Sequence, residues 1–140
     1  MLNSVSGAIF AALVATLPAR GQTIPVRPDP LLTPGAIASM SAAEVCAPGY
    51  SRAHRVWHDK AGTLRKYGLP LRAMSAVEDD DRIPVCAGGD NADPHNHWPE
   101  LWADARRKDA IEARACRMVC VGKITLDTAQ QFFRGTGWER

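Results

Sequence analysis

The sequence lacks several features that would place it in a broad class at once. It has no apolar run near the roughly 20 residues that span a bilayer, and no internal repeat or low-complexity tract. Its 17 basic and 15 acidic side chains nearly balance, so net charge selects no partner. Four tryptophans and an apolar fraction of 46% in 140 residues favour one folded domain with a core over a disordered chain.

The first residues have the pattern of an export signal. The uncharged apolar run Ala8–Leu17 is followed by the small-x-small site Ala19-Arg20-Gly21. No Lys or Arg precedes the run, so the alternatives are a buried helix of the domain or a piece upstream of a misplaced start codon. We predict a signal peptide over residues 1–21 and an exported protein, periplasmic or secreted, with no stable membrane association after cleavage.

The four cysteines are Cys46, Cys86, Cys116 and Cys120. An even number behind an export signal favours two disulfides. The alternative is a zinc site that combines Cys116 and Cys120 with His54 and His58. An oxidising compartment favours the disulfides, but four cysteines allow three pairings, and spacing alone does not choose among them.

Patterning predicts an α+β, mostly helical domain over residues 35–140 behind a Pro-rich linker at residues 22–34. Ser41 and Glu44 have capping-box spacing, and a modest helix is expected over residues 59–67. Residues 76–85 are typical of a strand, Gly88-Gly89 of a turn and residues 90–99 of a loop.

Two helices are predicted in the C-terminal third. The first covers residues 102–121 and ends at Gly122; its apolar stripe is Ile111, Ala115, Met118 and Val119. The second begins after Thr125 as N-cap. It is expected to bury Leu126, Ala129, Phe132 and Phe133.

Charge is distributed unevenly along the chain. A basic stretch with Asp59 as its one acid precedes four consecutive acids, Glu78–Asp81. A basic surface beside an acidic pocket suits a polyanion that reaches a metal ion; the alternative is an ordinary solvated surface. The basic residues are Arg52, Arg55, Lys60, Arg65, Lys66 and Arg72.

Hydrolysis of a phosphodiester requires a cation, a base and positive groups that hold the backbone. Asp80 lies before the Gly-Gly turn and Asn96 after it, and their oxygens are suitable ligands for a hard cation. We expect four cations to contact nucleic acid: Arg82, Arg106, Arg107 and Lys108.

Two segments carry a resemblance to a known family: residues 78–89 (EDDDRIPVCAGG) and 93–100 (DPHNHWPE). They are similar to small bacterial and phage proteins of the HNH nuclease superfamily. The pattern there is acid, Asp, His, a hydrophobic residue or Arg, Ile-Pro, two or three residues, Gly-Gly, and then Asn-Leu-Trp-Pro. The resemblance covers most of residues 33–138.

The resemblance implies a ββα-metal fold, in which a hairpin and a helix hold one divalent cation, Mg²⁺ or Mn²⁺ first and Zn²⁺ or Ni²⁺ as alternatives. Asp80 would be a metal ligand, and Asn96 would orient the site or help to bind the metal. Asp81 stands at the position of the general-base histidine, and His97 at that of the leucine. A third histidine would fall at Ala105 and is absent. The resemblance also implies the pairs Cys46–Cys120 and Cys86–Cys116.

Asp81 weakens the expectation of catalysis, because the HNH pattern has its general-base histidine at this position. An ordinary Asp, with a pKa near 3.9, is a weaker base than His, with a pKa near 6.5, and loss of a general base costs about 10²–10⁴-fold in rate. Asp81 could instead become a metal ligand, or His95 or His97 could supply an imidazole; the alternative is that both are plain loop residues. Strand alternation also implies that Asp80 and Asp81 share a site only at a strand end or bulge.

Three functions therefore stay open. The first is an exported, metal-dependent HNH-like endonuclease that cuts DNA or RNA. The second is a catalytically degenerate HNH domain that binds nucleic acid or metal without cutting. The third is a disulfide-rich secreted binding module.

Overall fold

The computed structural model describes residues 23–25, 27–135 and 138. The predicted signal peptide, residues 1–21, lies outside them. Within the described residues, five helices and two strands follow one another, with short 3₁₀ turns between them. They are α1 (Ala42–Val45), α2 (Tyr50–Ala53), α3 (Lys60–Lys66), β1 (Val77–Asp81), β2 (His97–Leu101), α4 (Trp102–Cys120) and α5 (Leu126–Arg134). The 3₁₀ turns are Leu71–Ser75, Val85–Ala87 and Pro94–Asn96.

Strands β1 and β2 form an antiparallel hairpin whose register pairs Val77 with Leu101 and Asp81 with His97. Successive side chains of a strand point to opposite faces. On one face, Val77 packs with Leu64 of α3. On the other face, Asp80 binds Lys108 of α4. The two-stranded sheet therefore lies between α3 and α4, and the four consecutive acids are divided between its two faces.

Helix boundaries follow the capping signals in the sequence. The side chain of Ser41 and that of Glu44 bond each other's backbone N–H at the start of α1. Asp59 accepts from the Gly62 N–H before α3, and Thr125 accepts from the Thr128 N–H before α5. These predicted helices are confirmed, as is α4, which ends one residue earlier than predicted.

The strand predictions were less accurate. The strand expected over residues 76–85 ends at Asp81. The loop expected over residues 90–99 was wrong at its end, where β2 begins at His97. Trp98, Pro99 and Glu100 are all buried, because α3 and α4 cover both faces of β2. The polar–apolar alternation that reveals a half-buried strand is therefore missing here.

The Gly88-Gly89 turn is present and is sterically required. Gly88 adopts a left-handed φ of +77°. A Cβ on Gly89 would lie 1.8 Å from the carbonyl oxygen of Ile83. No side chain larger than hydrogen fits at Gly89 without displacing the segment that leads out of β1.

Helices α4 and α5 pack on the main core, where Ala115 and Val119 come from the predicted stripe. Phe133 is fully buried, but Phe132 is 39% exposed, so the prediction that Phe132 is buried was wrong. The other buried members of this core are Ile83, Ala87, Trp98, Cys116, Ala129 and Trp138. Among the described residues, none of the helices has the length and apolar character needed to cross a bilayer.

Two disulfides, Cys46–Cys120 and Cys86–Cys116, fix α4 to α1 and to the turn Val85–Ala87. The implied pairing is confirmed. Because all four thiols are oxidised, the alternative zinc site on Cys116 and Cys120 is excluded. Intramolecular disulfides of this kind indicate an oxidising environment. The described part of the chain is thus α+β, about half helical, with a two-stranded antiparallel sheet and two disulfides.

Candidate metal site

Three potential metal ligands meet at one end of the hairpin. Asp81 ends β1, His97 begins β2 directly opposite, and His58 comes from the segment before α3. One ligating atom of each lies within 4.8 Å of the others. The two imidazole rings stack with centroids 3.9 Å apart, and His97 Nε2 lies 3.5 Å from Asp81 Oδ1. We call these three residues the His–Asp–His cluster.

Two asparagines fix the carboxylate of Asp81. Asn96 Nδ2 donates to Oδ1 at 3.1 Å, and Asn91 Nδ2 donates to Oδ2 at 2.8 Å. Asn96 is fully buried; its Nδ2 also donates to the Ile83 carbonyl, and its Oδ1 accepts from the Ile83 N–H at 3.0 Å. Asn96 thus holds the Asp81 carboxylate by a hydrogen bond, and the metal-binding role predicted for its oxygen stays a prediction.

Asn91 also selects the tautomer of the His58 ring. The Val56 N–H donates to Asn91 Oδ1 at 2.6 Å, which identifies the other terminal atom of Asn91 as the Nδ2 donor. That Nδ2 lies 2.6 Å from His58 Nε2, so this ring nitrogen is an unprotonated acceptor. The proton of His58 is therefore on Nδ1, which donates to the Asp79 carbonyl at 3.2 Å, with the Asp79 carboxylate 3.8 Å away.

This arrangement is one that protein metal sites use. A ligating histidine usually donates its second ring N–H to a carbonyl or carboxylate, which fixes the ring and leaves the other nitrogen free to bind the metal. The Asp79 carbonyl is this acceptor for His58, and a metal ion would take the place of Asn91 Nδ2 at His58 Nε2. The place of Asp79 on β1 two residues from Asp81 puts it on the same face of the sheet.

His97 is held through its backbone as well as its ring. The ring Nε2 donates to the Asn91 carbonyl at 3.0 Å. The carbonyl of His97 accepts from Thr33 Oγ1 and Lys66 Nζ, both at 2.8 Å. Asp81 and His97 are only 7% and 6% exposed. Burial raises the pKa of Asp81 to about 6 and lowers the pKa of His97, so at neutral pH a carboxylate faces a neutral imidazole.

The opposite face of the hairpin holds a buried ammonium group. Lys108 Nζ donates to Asp80 Oδ2 at 2.7 Å, to Glu112 Oε1 at 2.6 Å and to the Asp81 carbonyl at 2.5 Å. Burial opposes the charged form of Lys108, yet Asp80 and Glu112 raise its pKa. Glu100 of β2 lies among these groups, fully buried. We call Lys108, Asp80, Glu100 and Glu112 the Lys108 cluster.

Glu100 differs from the other acids of the Lys108 cluster. Neither of its carboxyl oxygens has a hydrogen-bond partner among the described residues. Burial, followed by the nearby carboxyl of Asp80, raises the pKa of Glu100 to about 10. Glu100 therefore keeps its proton at neutral pH. One ammonium group cannot neutralise every nearby carboxylate at so buried a site, so Glu100 retains its proton.

The structure separates the two acids that the sequence placed side by side. Asp81 points to His58 and His97, whereas Asp80 is an ion-pair partner of Lys108 on the other face. Asp80 is therefore not part of the His–Asp–His cluster. His95, the other candidate imidazole, is exposed and pairs with Asp93 at 2.8 Å.

Two of the four basic side chains that the sequence predicted to contact nucleic acid are buried, so their predicted role is corrected. Lys108 is buried in its ion pairs, and Arg82 is buried, with its guanidinium bonding the carbonyls of Thr33 and Arg134. Lys108 neutralises carboxylates inside the domain, and Arg82 bridges two backbone carbonyls. Arg106 and Arg107 are exposed on α4, where Arg107 also pairs with Asp104.

Sequence reasoning missed the roles of His58 and Asn91 at this site. It considered His58 only as a partner for cysteines that are now seen in disulfides. The Asn91–His58 contact spans 33 residues of sequence, so no local pattern reports it. The one available signal was that His58 lies in a basic stretch just before a helix.

Comparisons with protein-family models, with curated proteins and with solved structures found no match to this chain. The HNH resemblance therefore stands on the quoted motifs alone.

Proposed function

We propose that the chain is an exported, metal-dependent nuclease that hydrolyses phosphodiester bonds of DNA or RNA and binds one divalent cation at the His–Asp–His cluster. The observation that carries the proposal is the convergence of two imidazoles and one buried carboxylate within 4.8 Å. Their orientation by Asn91, Asn96 and Asp79 supports it, because metal sites need supporting hydrogen bonds of this kind.

The donor set favours some cations over others. Two imidazole nitrogens and one carboxylate suit Zn²⁺, Ni²⁺ or Mn²⁺, whereas Mg²⁺ prefers oxygen ligands throughout. We therefore revise the order expected from the sequence and place Mn²⁺, Zn²⁺ and Ni²⁺ ahead of Mg²⁺. His58, Asp81 and His97 would hold the ion.

A divalent cation at this position would supply charge neutralisation at a phosphate and an acidified water. The protein's own groups supply orientation. Asn96 fixes one oxygen of Asp81, and Asp79 fixes the ring of His58. His97, directly across the hairpin from Asp81, would be the third ligand of the ion.

The proposed cation site can be compared with the one that the HNH resemblance implies. Strands β1 and β2 and helix α4 follow one another in the ββα order that the resemblance implies. On the α4 face of the hairpin, Lys108 already neutralises Asp80. We therefore place the cation on the α3 face, where His58 replaces Asp80 in the ligand set.

Cleavage of supercoiled plasmid and of labelled DNA and RNA oligonucleotides by the oxidised protein tests the proposal. Each divalent metal is assayed in turn, with Asp81→Ala, His58→Ala and His97→Ala beside the exposed-histidine control His95→Ala. The first three variants should lose about 10²–10⁴-fold in rate, and the control should keep it. Wild-type protein that cuts nothing with any metal, or Asp81→Ala that cuts at the wild-type rate, would contradict the proposal.

A catalytically silent domain that binds nucleic acid is the second candidate, favoured by a carboxylate at position 81 where the HNH pattern has its general base. An inactive wild-type protein whose Asp81→His variant cuts DNA would support it. If neither protein binds DNA at any salt concentration, both candidates fail and a secreted binding module is left.

A further inference from the structure

Trp57 presents its indole ring almost entirely to solvent. It is 96% exposed, whereas Trp98 and Trp138 are 1% and 7% exposed in the core. Of the large apolar side chains described, Trp57 is the most exposed. An aromatic ring of this size removes a large apolar area from water when it is covered, so a ligand that covers the Trp57 ring would gain binding energy.

The surroundings of Trp57 are basic. Residues 52–57 are all exposed and include Arg52 and Arg55. Lys60 follows at the start of α3, and the one acid of the stretch, Asp59, is paired with Arg65 at 3.4 Å. Exposed cations close in sequence to an exposed aromatic ring suit a ligand that is both anionic and aromatic.

The residues on both sides of Trp57 are anchored at the His–Asp–His cluster. The residue before it, Val56, donates its N–H to Asn91, and the residue after it is His58 itself. Asn91 in turn bonds Asp81. The backbone that carries the exposed ring therefore lies next to the proposed metal site.

We propose that Trp57 is a stacking platform for an unpaired nucleobase, with Arg52 and Arg55 binding the flanking phosphates, so that the preferred ligand is single-stranded nucleic acid. The inference rests on the proposed function, since it names the substrate class of the same site. In a duplex, both faces of each base are covered by neighbouring bases, so the indole can stack only on a base that is unpaired.

Fluorescence anisotropy of the oxidised protein in EDTA tests the inference without cleavage. The probes are a labelled oligothymidine strand, the same strand paired with its complement, and an oligouridine strand. The variants are Trp57→Ala, Trp57→Phe and the control Leu31→Ala, whose side chain is 89% exposed outside the basic stretch. Quenching of tryptophan emission on titration with unlabelled strand reports stacking directly.

Trp57→Ala should weaken binding of both single strands by about tenfold or more, the size of one base–aromatic stack, and should lose part of the quenching. Trp57→Phe should bind between Trp57→Ala and wild type, and Leu31→Ala as wild type. Duplex binding should change less than twofold. Unchanged single-strand affinity in Trp57→Ala, or an equal loss for the duplex, overturns the inference.

The proposed function fails separately. If the wild-type protein binds single strands through Trp57 but cuts none of them with any metal, the platform stands and the nuclease does not. If it cuts with metal while Trp57→Ala binds single strands normally, the platform is wrong and the nuclease stands.

Discussion

At the scale of single residues, strand alternation decides what each acid of β1 does. Asp79 and Asp81 face α3 and two imidazoles, whereas Asp80 faces α4 and a buried ammonium. Four adjacent acids in the sequence would repel one another as a single patch. Because the acids of β1 are divided between its two faces, those on each face contact their own positive or polar partners. The repulsion between the two groups of acids falls as the distance between their carboxylates grows.

Glu100 should make the stability of the protein depend on pH. Its pKa is about 10 in the folded protein, against an ordinary value of 4.5. The folded state therefore binds a proton that the unfolded chain releases above about pH 4.5. This contribution to stability is complete below about pH 4.5 and is lost as pH rises toward 10.

Glu100→Gln cannot ionise, so its melting temperature should fall less than that of the wild type between about pH 5 and pH 9. Calorimetry of both proteins across this range measures the difference, which should widen with pH. Glu44→Gln is the matched control, since the hydrogen bond from Ser41 lowers the pKa of this exposed Glu and confines any effect to acidic pH. Parallel curves for wild type and Glu100→Gln would show that Glu100 is ionised in the folded protein.

At the scale of elements, α4 supplies the ammonium that the hairpin needs. The side chain of Lys108 is fully buried, and its Nζ contacts β1 as well as Glu112 one turn along the helix. Removal of one partner from a buried ion pair costs about 3–5 kcal/mol, because the remaining charge is left unbalanced.

Lys108→Met should therefore lower the free energy of unfolding by about 3–5 kcal/mol in urea denaturation. Adding Asp80→Asn and Glu112→Gln to this variant should recover a large part of the loss, since the uncompensated carboxylates are then gone. A single variant within about 1 kcal/mol of wild type would mean that the ammonium group is not required.

The elements that the sequence predicted well have local signals. Helices α1, α3 and α5 begin at side-chain caps, and α4 has a regular apolar stripe. Strand β2 was missed because both its faces are covered. Lys108 and Arg82 were assigned to a surface because most of their acceptors lie 27 to 52 residues away, and burial by distant chain leaves no local pattern.

The residues of the candidate site also divide into those with a local sequence signal and those without one. Asp81, Asn96 and His97 were selected because they lie in or beside the motif. His58 and Asn91 complete the site through contacts of 33 and 10 residues in sequence. Only the folded chain brings them together, so no pattern in one sequence could have ranked His58 above His54 or His95.

At the scale of the whole molecule, two disulfides hold α4 to the end of α1 and to the turn Val85–Ala87. Cys46–Cys120 spans 74 residues and Cys86–Cys116 spans 30. Closing loops of these lengths in the unfolded chain is worth about 4.5 and about 3.5 kcal/mol in the chain-entropy treatment. A domain of about 100 residues has a total stability of only about 5–15 kcal/mol.

Replacing either pair by alanines should therefore lower the urea midpoint substantially, and Cys46→Ala/Cys120→Ala should cost at least as much as Cys86→Ala/Cys116→Ala. Wild-type protein treated with reductant should be less stable than either variant. Midpoints that stay at the wild-type value in both variants would show that packing alone holds α4 in place.

The central claim is that the His–Asp–His cluster binds one divalent cation. Isothermal titration of the oxidised, metal-free protein with Zn²⁺ and with Mn²⁺ tests it most directly, using His58→Ala, Asp81→Ala and the control His95→Ala. The wild type and the control should bind one ion with equal affinity, and the two cluster variants should bind it at least about tenfold more weakly. A wild-type protein that binds neither ion, or cluster variants that bind as tightly as the control, would contradict the claim.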